Sequence, residues 1–200
     1  MPDVDTLTWD MQARIIKYYP ESVSRITRDL MHGHEPLGFH LRHFEEVGLA
    51  EPDEVMEAPG NLLVTGGLNR ITNLIIGGGG VALAHADAVV GVGTSTTAAT
   101  VSDTALGGDG NASTAYYQQA DSSYPTQSNG IITVNCTFQS GVANFAWNEW
   151  CWAIDSGTIT AGATLASTGT SPLMLNHKVQ SLGTKVSGSI WTLSATLTLA

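Results

Sequence analysis

The sequence predicts a mainly β protein, an antiparallel, jelly-roll-like β-sandwich preceded by a short helical N-terminal arm. Three observations lead to this reading. Beyond residue 80, alternating apolar and polar segments recur between turns rich in Gly, Ser and Asn. The last segment sets Leu193, Ala195, Leu197 and Leu199 against Thr192, Ser194, Thr196 and Thr198, the signature of a half-buried antiparallel strand. Charge also changes abruptly at Ala58-Pro59-Gly60: residues 1–60 hold five Lys/Arg and twelve Asp/Glu, whereas residues 61–200 hold three and six. The division expected is therefore an arm over 1–58 and a β domain over 59–200.

In the arm, Thr8 would cap a first helix from about Trp9 to Tyr19. Pro20 would end it, because proline disfavours α geometry in the residue before it. A second short helix would start at Ser22 or Ser24 and run through Val23, Ile26 and Leu30. Pro36 suits the first turn of a third helix, in which Leu37, Leu41 and Phe44 form one apolar face and Gly48 closes the C-terminus. Three such helices bury little alone. Trp9, Ile15, Ile16, Leu37, Leu41 and Phe44 are thus expected to dock on a partner surface.

The β domain would begin with a buried helix over about 61–76, since Val64, Leu68, Ile71 and Ile75 recur at helical spacing. Gly66 and Gly67 each disfavour a helix by roughly 1 kcal/mol; close packing would account for them. Strands follow at Ala88–Gly93, Ala115–Gln119, Ile131–Phe138, Phe145–Ile154, Leu173–Val179 and Ile190–Leu199.

Only 13% of the residues are charged, against about 25% in ordinary soluble domains. A surface this poor in charge associates, so a homo-oligomer or a covered face is expected. The net charge of −10 and the lack of a Lys/Arg cluster argue against a nucleic-acid partner. No segment approaches the roughly 18–20 apolar residues of a membrane span, and the first twenty residues hold no apolar run of a secretory signal. Asn111 and Asn135 match the glycosylation pattern, which without such a signal is read as chance. Cys136 and Cys151 lie in apolar strands and read as buried thiols, with a cross-strand disulfide as the alternative.

Candidate chemistry is sparse. His32, His34, His40 and His43, with Glu35 or Glu46, are the candidates for a metal site, but the spacing matches no metal motif and the reading is that no metal or other cofactor is held. The runs Gly77–Gly80 and Gly91-Val-Gly93 lack the Lys-Ser/Thr of a phosphate loop and read as turn or packing glycines. No nucleophile elbow is present. His85 and His177 could pair with Asp87, Asp103 or Asp121, as in almost any sequence. Glu149 stands between Trp147 and Trp150, where burial would raise its pKa; a structural pairing with Lys178 or Lys185 is the plainer reading. The tryptophans, with Tyr116, Tyr117 and Tyr124, would stack on sugar if exposed in a row and would fill a core if not. No catalytic residue is assigned, and the protein reads as a non-enzyme.

Several phrases point further. They are Gly60-Asn-Leu-Leu-Val-Thr-Gly-Gly-Leu, the glycines at 77–80, Val89-Val-Gly-Val-Gly-Thr-Ser-Thr-Thr-Ala, Asp121-Ser-Ser-Tyr-Pro-Thr, Asn144-Phe-Ala-Trp-Asn-Glu-Trp, Asn176-His-Lys-Val-Gln-Ser-Leu-Gly-Thr-Lys and Gly188-Ser-Ile-Trp-Thr-Leu. In these the stretch 60–200 resembles a family of tailed-bacteriophage virion structural proteins. The resemblance implies a virion location after assembly in the host cytoplasm, major capsid or tail proteins as partners, and a role in capsid decoration or cementing. A tail or fibre component, or a carbohydrate-binding attachment module, is the alternative.

Overall fold

The computed structural model describes residues 9–199. In chain order these form β1 (Trp9–Tyr18), α1 (Pro20–Asp29), α2 (Gly38–Glu46), β2 (Glu54–Pro59), β3 (Leu62–Leu63), α3 (Thr65–Ile75), β4 (Ala88–Gly93) and β5 (Ala115–Gln119). Then come β6 (Thr126–Ser128), β7 (Ile131–Phe138), β8 (Ala146–Ile154), a short 3₁₀ turn, β9 (Leu173–Met174), β10 (Asn176–Thr184) and β11 (Ile190–Leu199). The protein is mainly β, two antiparallel sheets packed as a sandwich. One sheet runs β2-β1-β11-β7-β6; the other runs β3-β10-β8-β4-β5, with β9 on the end of β8.

The core lies between the sheets. Met11, Ala13 and Ile15 of β1, Val134, Cys136 and Phe138 of β7, and Leu193, Ala195 and Leu197 of β11 face Val90 and Val92 of β4 and Trp150 and Trp152 of β8. Trp147 packs edge-on to Phe138 and Trp191, at centroid distances of 4.8 and 5.0 Å. A second cluster covers the outer face of the β4–β8 sheet, where Val89, Cys151 and Ala153 meet Tyr117, Leu106 and Leu165. With both faces covered, β4 is buried along its whole length, which explains its unbroken run of apolar and glycine residues. A third cluster, Tyr18, Val23, Ile26, Leu41, Ala50 and Ile190, seats α1 and α2 over one end of the first sheet.

The structure corrects the sequence reading before Pro59. Residues 9–18 are a strand, not a helix. Met11, Ala13, Ile15 and Lys17 alternate inward, and β1 pairs with β11 from Trp9↔Leu199 to Tyr18↔Ile190. Thr8, expected to cap a helix, lies outside the described residues. Pro20 opens α1 at its first turn, where its missing N–H has no partner to lose. Because β1 and β2 sit in the same sheet as β7 and β11, the described part of 1–58 is not a separate helical arm.

The expected docking residues are redistributed accordingly. Ile15 is in the inter-sheet core and Leu41 in the third cluster, so neither can meet a partner. Trp9 is partly buried against the first cluster, and Ile16 and Phe44 against the third. Leu37 alone of the six is exposed, at 47%.

The helix α3 is also unlike its expectation. Only Gly67 is buried in it. A Cβ at Gly67 would stand 2.2 Å from the Leu175 carbonyl oxygen, so the glycine sits where the helix backbone touches the backbone of the body. Gly66, Arg70 and Ile71 are half-buried, and the other side chains of α3 are exposed.

Candidate functional site

Glu149, on β8, is fully buried, and His177, on β10, is 4% exposed. Four donors converge on the Glu149 carboxylate. The backbone N–H groups of Ser95 (3.2 Å) and Gly108 (3.0 Å) reach Oε1. That of Gly107 (2.9 Å) and His177 Nε2 (2.9 Å) reach Oε2. The other ring nitrogen of His177 donates to Asp103 Oδ2 at 2.6 Å. Asp103 in turn accepts from the Thr100 N–H and hydroxyl at 2.8 and 2.6 Å.

The local sequence makes room for this arrangement. A Cβ at Gly93 would lie 2.3 Å from Glu149 Oε1, and one at Gly91 would lie 2.5 Å from the Tyr117 ring. The Gly91-Val-Gly93 run is therefore strand backbone that a buried carboxylate and a phenol ring press against, as strand glycines commonly are.

The electrostatics follow from the bonding. Burial alone would raise the Glu149 pKa, but His177 and the three backbone N–H groups outweigh it and hold the carboxyl below its usual range. Burial also opposes ionisation of Asp103, and its bonds to Thr100 and His177 again bring the net shift downward. For His177 burial would lower the pKa, whereas bonding to Glu149 and Asp103 raises it. Two carboxylates facing the two ring nitrogens favour a proton on each, so the surroundings favour the imidazolium form of His177.

This site differs from the expected one. Glu149 pairs with neither Lys178 nor Lys185, and its pKa moves down. Lys178 Nζ donates to the Pro59 carbonyl at 3.0 Å. Lys185, 1% exposed, donates to Gln139 O, Val142 O and Asn144 Oδ1 at 2.8–2.9 Å. Asp103 is one of the three acids the sequence offers His177 as a partner, but the sequence does not join Glu149 to them, because the three residues lie on separate segments. The one local signal is the glycine pair inside an apolar strand, which marks a close approach without saying of what.

Chemically the arrangement is a clamp. His177 has no free nitrogen with which to take a proton from a substrate. His177 borders two hollows: a cavity of about 70 Å³ with Ser95, Thr97, Asp103, Ala105 and Gly107, and an open groove of about 540 Å³ whose other walls include residues 60–62, Thr96, Lys178 and Val179. What the clamp holds is the loop between β4 and β5, tied to β8 through Glu149 and to β10 through His177. The same loop reaches the base of α3, where the Thr65 N–H donates to Val101 O at 2.7 Å.

The other candidates are placed as follows. His32 and His34 are exposed at a turn, with His32 at φ 50°. His40 Nδ1 accepts from the Leu37 N–H at 3.1 Å, closing the first turn of α2, and His43 lies in its last turn. Among the described residues no three His, Cys, Asp or Glu are gathered to hold a metal ion. Cys136 and Cys151 are both buried free thiols. Trp147, Trp150, Trp152 and Trp191 are at most 1% exposed, so these four cannot form a sugar-stacking row. No helix among the described residues is long and apolar enough to cross a membrane.

No protein-family model, no curated protein and no solved structure matches this chain.

Proposed function

We propose that this chain is a structural subunit of a bacteriophage virion, placed on the capsid as a decoration or cement protein. One observation carries the reading: beyond Gly60, most of the few acidic and basic side chains serve as internal cross-links. Glu149, Asp155 and Lys185 are at most 1% exposed. Asp103 is bound to His177, and Asp121 pairs with Arg42 at 2.6 Å. The outer surface of this part carries little charge, Asp109 being exposed and Arg70, Asp87 and Lys178 half-buried, and exposed aliphatic side chains stand on α3. Such a surface suits repeated contacts with neighbours, where buried apolar area contributes about 25 cal/mol per Å². The resemblance of residues 60–200 to virion proteins supports the same reading.

The contacts fall on α3 and on the exposed pair Leu37 and Phe39 at the start of α2, in place of an N-terminal arm. A reconstruction of particles carrying this chain tests the proposal. The expected result is a two-sheet density repeated at symmetric positions on the shell. Density confined to the tail would move the placement to a tail component. Particles without the chain would overturn the structural role.

A further inference from the structure

From Asn61 to Ala86 the sequence holds one residue among Lys, Arg, Asp and Glu, Arg70. Its guanidinium is turned back on the chain, with Nη1 donating to Val81 O at 2.9 Å. Ile75 and Ile76, at 76% and 77%, are the most exposed large apolar side chains among the described residues, and Leu68 stands at 49%. Leu68, Ile71 and Ile75 recur at spacings of three and four residues, which gives α3 a seam for packing against another helix.

Charge identifies what covers this seam. A dissimilar partner of an acidic chain is recruited most readily by basic groups facing acidic ones, and the exposed face of α3 offers no acid to pair. Copies of a chain with net charge −10 repel wherever acids face acids. A two-fold contact brings the same patch of each copy together, so it favours groups that tolerate their own kind. Apolar side chains do, and so do the flanking Asn69 and Asn73, whose amides both donate and accept. We infer that α3 packs against α3 of a second copy about a two-fold axis, making a helix pair the assembly unit. This inference rests on the reading of the chain as a self-associating structural subunit.

Sedimentation equilibrium of the purified full chain tests it, with Ile75→Asp and Leu68→Asp as variants. Wild type is expected to be a dimer or an even multiple of one. Either variant is expected to raise the dissociation constant about a hundredfold or more. Both side chains are exposed, so the thermal midpoint of the isolated subunit should not move. Oxidised Ile75→Cys is expected to form chain-to-chain disulfides, which the buried Cys136 and Cys151 cannot supply. A monomeric wild type, an odd-numbered assembly, or an Ile75→Asp chain of wild-type mass overturns the inference. A wild-type dimer that the variants dissociate but that binds no particle upholds the helix pair and removes the virion role. A monomer that binds particles through intact α3 does the reverse, assigning the seam to another virion protein.

Discussion

His177 Nε2 lies 2.9 Å from Glu149 Oε2, joining diagonal neighbours across the β8–β10 ladder, where Val179 stands opposite Glu149. With Asp103 on the other nitrogen, this pairing gives the fold a defined response to pH. The raised His177 pKa means that its contribution is full below the ordinary value of 6.5 and is lost as pH rises through the raised one. The lowered pKa values of Glu149 and Asp103 mean that theirs is full above the usual carboxylate range and is lost as pH falls through the lowered ones. The clamp therefore contributes most between about pH 4.5 and 6.5. In denaturant titrations, His177→Gln should lower the midpoint most in that window, and the gap from wild type should narrow on the alkaline side. A gap that stays constant from acid to alkaline pH would refute an imidazolium at this position.

Gly93→Ala tests the cradle from the opposite strand. The added methyl group would occupy space 2.3 Å from Glu149 Oε1 and push the carboxylate off its donors. Disrupting a buried ion pair in this way should destabilise the fold by about 3 kcal/mol. Gly141 is not in the left-handed φ region and has nothing within 4 Å of an added Cβ, so Gly141→Ala should change stability by no more than about 0.5 kcal/mol. Chemical denaturation of both variants makes the comparison, and equal effects would show that Gly93 is not held by Glu149.

Lys185 binds the turn between β7 and β8 through three neutral acceptors. Lys185→Met keeps the aliphatic stem and leaves those acceptors buried without a donor, which should destabilise by about 2 kcal/mol. Amide exchange should rise first over residues 139–145. Burial also pushes the lysine pKa down from 10.5 to about 8. The unfolded chain binds the extra proton between these values, so wild-type stability should gain from this group as pH rises from about 8 to 10.5. The Met variant should lack that gain, and an identical alkaline limb in both proteins would exclude the shift.

The strands with strict alternation or a continuous apolar run were readable directly: β4, β5, β7, β8 and β11 fall where periodicity puts them. Strand β1 was not, although Met11, Ala13 and Ile15 do alternate. Its Met, Gln, Ala and Arg are good helix formers, Pro20 mimics a helix stop, and the strand's partner β11 lies at the other end of the chain. Propensity is local, and here long-range pairing overrides it. The apolar spacing of α3 was readable as a helix but not as an exposed one. What decides exposure is the contact of Gly67 with the Leu175 backbone, which seats the start of the helix on the body and leaves Thr72 to Ile75 exposed. The clamp was half readable. Glu149 and His177 could be singled out by type and place, but the diagonal that joins them depends on a ladder register that no local pattern encodes.

The proposed role makes this chain a repeated structural part of a particle. Quantitative mass spectrometry of purified virions tests it most directly, by measuring copies of this chain per copy of the major capsid protein. The expected result is a fixed ratio with many copies per particle, retained through density-gradient purification. A chain absent from purified particles, or present in traces that vary between preparations, would contradict it.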